Sequence, residues 1–364
     1  MLRSLVEFSP KALIILEVRT YLSPFLIHKE NKALRIFVTG GAGYIGSHTV
    51  VALLEAGHQV QIIDNYSNSS ADVLKRVAHL AGQHCGIHQV DVTDLTQLTE
   101  ILAEFKPDMV FHFAGRKSVV ESVERPEFYH QQNVGGTLKL LSAMDKCACK
   151  QIIFSSSATV YGTPNQLPIP EEHRTSPFNP YGHSKLEAEK EIAKWANAAA
   201  EKSAVLMRYF NPVGAHVSGL IGEHPKGRPD NLFPFITQVA AGIRSHLDIY
   251  GDDYDTPDGT GVRDYIHITD LVKGHIAAIH FVENNRGVEI FNLGTGRGYS
   301  VAEVVAVFEA TTGQSVKYQI KERRAGDIAS CYADPAKAHA KLWWKAEQTL
   351  EQMCQDSWRS QLHL

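Results

Sequence analysis

One short segment constrains this chain more than any other. Thr39-Gly40-Gly41-Ala42-Gly43-Tyr44-Ile45-Gly46 sets glycines at three-residue steps, between an apolar run at 36–38 and an apolar-periodic stretch at 45–55 that Gly57 closes. Backbone at such a junction turns tightly, keeps no Cβ between itself and a bound group, and aims helix N-terminal N–H groups at negative charge. The next apolar run, 60–63, is followed by Asp64, 18 positions after Gly46. Strand, glycines, helix, strand and acidic residue together form a dinucleotide fingerprint, which makes Gly40, Gly43, Gly46 and Asp64 candidate cofactor ligands. A carboxylate at Asp64 accepts from a ribose 2′-hydroxyl and repels a 2′-phosphate, so NAD is expected in preference to NADP.

Such a loop belongs in a parallel sheet, and the following residues supply one. Short apolar runs at 87–90, 109–113, 152–154 and 205–207 alternate with helical stretches such as 133–146 and 181–200. That alternation predicts an α/β fold with a doubly wound parallel (Rossmann) sheet over residues 35–210, to which later segments return. Beyond Phe210 the texture turns irregular and rich in Gly, Pro, Asp and Asn, so residues 211–364 read mainly as a smaller C-terminal α/β substrate lobe. Asp91 follows the third strand; it either reaches an adenine amino group or ends the strand and caps the helix start at Thr93-Asp94. Phe113-Ala114-Gly115 closes the fourth strand on the same edge.

Composition narrows the possible partners. With 364 residues there is room for about two domains, and a 44% hydrophobic, 21% charged chain is neither disordered nor of low complexity. Lys and Arg number 36 against 40 Asp and Glu, with no long basic block, so neither nucleic acid nor a membrane surface is an expected partner. Five scattered cysteines suit a reduced cytoplasm better than a disulfide framework, and the 18 histidines form no zincin-type pair, so no metal is expected. Residues 1–34 stand apart. Glu17, Arg19, Pro10 and Pro24 interrupt their apolar patches, leaving neither a membrane span nor a signal-peptide core. They read as a loose extension or as a short amphipathic docking segment.

Tyr181 and Lys185 stand four apart at a helix start and so share a face. That spacing is common in a chain with 13 Tyr; position gives it meaning. The pair opens the helix that follows Ser155-Ser156-Ser157, at the carboxyl end of a central strand, where open α/β sheets bind ligands. A free phenol titrates near pH 10, and making it a base at neutrality takes about 3 to 4 kcal/mol of selective stabilisation of tyrosinate. The Lys185 ammonium and a nicotinamide cation would supply it. The Ser157 hydroxyl either shares the reacting proton or bonds a loop carbonyl.

From Arg35 to about Arg359 the chain resembles the UDP-galactose 4-epimerases of the extended short-chain dehydrogenase family. The resemblance is carried by the glycine loop, Ser155-Ser156-Ser157-Ala158-Thr159-Val160-Tyr161-Gly162, Tyr181-Gly182-His183-Ser184-Lys185, Arg208-Tyr209-Phe210-Asn211-Pro212-Val213-Gly214-Ala215 and Gly261-Val262-Arg263-Asp264-Tyr265-Ile266-His267. Residues 1–34 and a shortened Pro-rich loop (Pro164, Pro168, Pro170, Pro177, Pro180) depart from it. It implies a redox-neutral isomerisation of UDP-glucose and UDP-galactose. In that scheme Tyr181 takes the proton of the sugar 4-hydroxyl while hydride passes from C4 to tightly held NAD. The 4-keto sugar then rotates and recovers the hydride on its other face. Ser157 would bond the same oxygen, and Lys185 would hold the nicotinamide ribose and depress the Tyr181 pKa.

The resemblance widens the NAD set to Tyr44, Ile45, Asn65, Asp91, Val92, Phe113, Ala114, Gly115, Lys117, Asn133 and Phe210. It assigns the UDP-sugar to Asn211, Asn231, Leu232, Tyr250, Arg263, Arg324 and Asp327, where two Arg offer fork-shaped donors to a diphosphate. Cys331, four past Asp327, falls where a Tyr confines the pocket to plain hexoses and a smaller residue admits a 2-acetamido group, so N-acetylated UDP-sugars are expected substrates as well. Its other reading is a small core hydrophobe. A homodimer is implied, through helices beginning near Ser118 and Asn133. Two rivals remain in view. A nucleotide-sugar 4,6-dehydratase carries an Asp-Glu pair where this chain has Ala158 and Thr159, and a non-catalytic NAD sensor has no use for Ser157, Tyr181 and Lys185 together.

Overall fold

The computed structural model of this chain describes residues 32–364 apart from 228 and 325; the expectations for residues 1–31 lie outside them. Seven strands build the central sheet: β1 (Arg35–Thr39), β2 (Gln59–Asp64), β3 (Gly86–Gln89), β4 (Met109–His112), β5 (Gln151–Ser157), β6 (Ser203–Tyr209) and β7 (Gly287–Leu293). Their spatial order is β7-β6-β5-β4-β1-β2-β3, with every pairing parallel. Chain order reverses between β1 and β4, which opens a crevice at their carboxyl ends.

Crossover helices cover both faces, as all-parallel strands require. On one face α1 (Tyr44–Glu55) and α2 (Ala71–Ala81) bury Val50, Leu53, Leu74 and Val77 against Ile36, Val38 and Ile62. On the other, α3 (Leu95–Phe105), α4 (Gly136–Lys146) and α5 (Pro180–Asn197) bury Leu98, Leu140, Met144, Ile192 and Trp195 against Phe37, Val110, Ile152 and Leu206. A π-helical turn, Gln131–Gly135, precedes α4, so the helix expected from 133 starts regular winding three residues later.

The later segments split between two tasks. Helix α6 (Ile268–Asn284) and strand β7 rejoin the sheet, with Leu271, Ile279, Phe291 and Leu293 in the same core as α1. The remainder builds a lobe with its own apolar centre, where Phe233, Ile249, Val305, Phe308 and Met353 pack around the parallel strand pair Leu247–Tyr250 and Tyr318–Lys321. A small sheet of Tyr299–Ser300, Val262–Arg263 and Ser330–Cys331 sets Cys331 beside Arg263 in register. Residues Leu34–Leu364 form one compact unit.

Candidate active site

The glycine loop lies where the sheet's chain order reverses. Gly40 has φ +71 and a Cβ there would meet the Ala114 backbone nitrogen at 2.7 Å, while a Cβ on Gly46 would stand 2.2 Å from the Gly40 carbonyl oxygen. Only glycine lets the loops after β1 and β4 approach so closely. Gly43 precedes helix α1 without supplying a side-chain cap, and no acidic residue stands in the first turn, so its N-terminal N–H groups and dipole are left for an external anion. Asp64 accepts from the Ala42 N–H (3.0 Å), the Tyr66 N–H (2.9 Å) and the Ser69 hydroxyl (2.8 Å), which shapes the loop and still leaves a lone pair toward the cavity. These residues fit the pyrophosphate and ribose of a dinucleotide.

One cavity of about 1280 Å³ gathers most of the expected site. Its sheet side is lined by Gly40, Gly43, Tyr44, Ile45, Gly46, Asp64, Asn65, Val92, Phe113, Ala114, Gly115, Lys117, Ser157, Tyr181, Lys185 and Phe210, and its second-lobe side by Asn211, Asn231, Leu232, Tyr250, Arg263, Arg324, Asp327 and Cys331. Two expected residues do not line it. The Asp91 carboxylate accepts from the Thr93 N–H (2.8 Å), the Thr93 hydroxyl (2.6 Å) and the Asn65 amide (2.7 Å). Burial acts upward on its pKa, but these bonds hold it below the usual range. Asp94, not Asp91, caps α3. Asn133 is 4% exposed and spends its amide on the chain: its nitrogen donates to Ser184 Oγ (2.9 Å) and Arg116 O (3.1 Å), and its oxygen accepts from Arg116 N–H (2.7 Å). Both residues therefore brace the walls just outside the cavity lining, each bonded to the chain.

Around Tyr181 the geometry is specific. Asn179 caps α5 by accepting from the Gly182 N–H at 2.8 Å, and Pro180 occupies the first turn. Lys185, 5% exposed, donates to the Ser155 carbonyl at 2.8 Å. Ser157 Oγ accepts from both the Thr159 N–H (3.3 Å) and the Thr159 hydroxyl (3.0 Å). With both its lone pairs engaged, the Ser157 hydroxyl is left to donate. Thr159 was of interest in the sequence only as a group that does not titrate; the signal of its role is its place two residues after Ser157, the spacing of a hydroxyl turn.

Electrostatics at this corner departs from one expectation. Burial raises the Tyr181 phenol above its ordinary value, and the Ser157 hydrogen bond is the opposing influence. Lys185 donates its ammonium to the Ser155 carbonyl, and burial lowers Lys185 itself to about 8, against the upward pull of Glu189. Glu189, one turn beyond Lys185, was missed in the sequence although 181, 185 and 189 repeat the same spacing. It holds Arg208 through two bonds of 2.7 and 2.9 Å.

At the far end, the Arg324 guanidinium lies 4.4 Å over the Tyr250 ring and pairs with Asp327 at 3.0 Å, while Arg263 donates to the Val262 and Ile328 carbonyls. Cys331 borders the cavity and also packs beside Ala158, Val160, Ile169 and Phe210, and burial pushes its thiol up to about 11.

Comparison with known proteins agrees with this arrangement. The family model described as GDP-mannose 4,6 dehydratase matches residues 37–357. A UDP-glucose 4-epimerase of Bacillus subtilis is 50% identical, over 90% of this chain and 97% of the relative. The solved UDP-glucose 4-epimerase of Bifidobacterium longum, in complex with NAD+ and UDP, is 51% identical with a TM-score of 0.87, over 90% of this chain and 98% of that one. The UDP-Glc/GlcNAc 4-epimerase of Campylobacter jejuni is 33% identical with a TM-score of 0.79, over 90% and 99%. The glycine cradle, the Ser157-Tyr181-Lys185 corner and these likenesses carry one conclusion: the chain belongs to the UDP-glucose 4-epimerase family of the extended short-chain dehydrogenases.

Proposed function

We propose that this protein interconverts UDP-glucose and UDP-galactose by oxidising and re-reducing the hexose at C4, with NAD held between the glycine loop, Asp64, Lys117 and Lys185. The observation that carries the reading is the meeting of Ser157, Tyr181 and Lys185 in one cavity with Arg263, Arg324 and Asp327. When bound there, NAD would supply the hydride acceptor and donor for C4. Tyr181 takes the 4-hydroxyl proton as the C4 hydrogen leaves with its electron pair, and returns that proton when the ketone is reduced. Ser157, its hydroxyl free to donate, bonds the same oxygen. Arg263 and Arg324 are placed to hold the diphosphate, and Asp327 to accept from ribose hydroxyls.

Elimination of water, the chemistry named by the family model, is disfavoured by the residues themselves. Ala158 is buried, Thr159 is engaged with Ser157, and neither can serve as acid or base at C5 and C6. Cys331 at the cavity wall supports acceptance of N-acetylated sugars, for a phenol in its place would fill space that a close-packed wall does not yield. Incubation with UDP-galactose and with UDP-N-acetylgalactosamine, followed by separation of products, tests both parts. Each epimer is expected. In Cys331→Tyr only the plain hexose is expected to react; equal loss of both reactions sinks the assignment of Cys331, and failure of wild type on UDP-galactose sinks the whole reading.

The same proposal includes a homodimer in a reduced, cytoplasmic setting. Exposed Val119, Val120, Val123 and Leu138 on the helices Val119–Glu124 and α4, and five free thiols, support it. Light scattering of the purified protein decides the oligomeric state.

A further inference from the structure

Residues 220–226 and 229–231 line the cavity from the second-lobe side and are tied to its dinucleotide side by cationic groups. Arg76 of α2 donates to the Leu220 carbonyl (3.0 Å), Lys226 donates to the Tyr66 carbonyl (2.9 Å), and Lys117 pairs with Glu223 (2.6 Å). Glu223 stands apart from an ordinary surface carboxylate. Its side chain is only 8% exposed. One oxygen, Oε1, takes both Lys117 Nζ and Asn231 Nδ2 at 2.6 Å each, and the other, Oε2, is buried with no partner among the described residues.

An unpaired buried carboxylate oxygen is costly, so the placement of Glu223 is maintained by what it holds and not by its own comfort. Its two partners come from opposite sides of the cavity, one beside the dinucleotide loop and one at the start of the helix Leu232–Ala240. Its charge also reaches Tyr44, whose phenol is raised first by burial and then by Glu223. Tyr44 belongs to the glycine loop, and its hydroxyl donates to the Gly214 carbonyl at 2.8 Å, a second tie between the same two parts.

We propose that Glu223 is a positioning residue that latches the 220–231 strap over the bound dinucleotide, aiming Lys117 and Asn231 from one carboxylate oxygen and so preventing cofactor release between hydride removal and return. The proposal rests on the dinucleotide reading above and assigns to one residue the retention that such a reaction demands. Breaking the latch frees the strap and leaves Ser157 and Tyr181 untouched. Loss should therefore appear in cofactor hold and in substrate KM, with kcat little changed.

The test uses purified holoprotein and needs no turnover. Wild type, Glu223→Gln and Glu223→Asp are mixed with excess isotopically labelled NAD, and uptake of label is followed over time. Glu223→Gln keeps the volume but loses the charge, and is expected to exchange at least about tenfold faster, the scale of one charge-assisted hydrogen bond. Glu223→Asp retains the charge and is expected to fall between. KM for UDP-galactose is expected to rise in Glu223→Gln. Wild type that holds NAD while Glu223→Gln exchanges it equally slowly overturns the latch alone, as does a Glu223→Gln protein whose kcat falls as far as its cofactor hold. Wild type that carries no NAD overturns the dinucleotide reading, and the latch with it.

Discussion

At the scale of single residues, the reacting corner is built by hydrogen-bond bookkeeping. Thr159 fills the acceptor capacity of Ser157, which leaves the hydroxyl one proton to give beside Tyr181. Tyr181→Phe removes the group that exchanges the proton and leaves the diphosphate end alone. Turnover should fall by about 10² to 10⁴ while UDP affinity, measured by calorimetry, stays near wild type; near-full activity would mean that another group is the base. Lys185 makes a separate prediction. Burial lowers it to about 8 in the folded protein, against roughly 10.4 in an unfolded chain. Below pH 8 both states carry the proton and the penalty for the buried charge is fully present. Between about pH 8 and 10 the folded state sheds the proton while the unfolded state keeps it, so stability rises with pH across that window. Relative to Lys185→Met, both stripped of dinucleotide, wild type should gain up to about 3 kcal/mol across it. Denaturant titrations at pH 7 and 10 measure the gain, and a flat difference would show that Lys185 is not a buried cation.

At the scale of elements, helix α5 carries the chemistry because one face presents Tyr181, Lys185 and Glu189 at successive turns. Glu189 anchors that face to the sheet through Arg208 of β6 and Ser156 of β5, with both members of the ion pair 4% exposed. Breaking one partner of such a pair leaves a bare buried charge. Arg208→Met should therefore destabilise the fold by about 3 to 5 kcal/mol, and adding Glu189→Gln should recover part of the loss. A double-mutant cycle by urea unfolding checks this, and additive losses would mean that the pair is not the anchor. The strands, their crossover helices and the glycine turn were readable in the sequence because period and punctuation are local. Glu189 was not readable, because its meaning depends on Arg208, which only the pairing of β5 with β6 brings beside it. Asp91 and Asn133 show the converse. Their positions along the chain are those of ligands, yet Asp91 already bonds Thr93 and Asn65, and Asn133 bonds Ser184 and Arg116, and no sequence spacing reveals a side chain's partners.

At the scale of the molecule, the sheet's switch point and the second lobe enclose one cavity, not two, so the nucleotide-sugar and the dinucleotide must lie against each other. Hydride removal and return then take place without either ligand leaving, and the C4 hydrogen never meets water. Epimerisation by loss of a C–H proton to a base would instead equilibrate that hydrogen with solvent. UDP-galactose deuterated at C4 should give UDP-glucose that keeps the deuterium at C4, and turnover in D₂O should introduce none into unlabelled sugar. Proton NMR of the product reads both. The enclosing walls make the result sensitive to closure: Tyr44 bonded to Gly214 and Glu223 bonded to Lys117 and Asn231 join the two parts of the cavity. A protein that opened there in mid-cycle would part the reduced dinucleotide from the 4-keto sugar before the hydride returned, so label retention should come with no accumulation of the reduced-nicotinamide absorbance band over many turnovers. Solvent hydrogen at C4 would replace hydride transfer with proton abstraction as the reaction of this site.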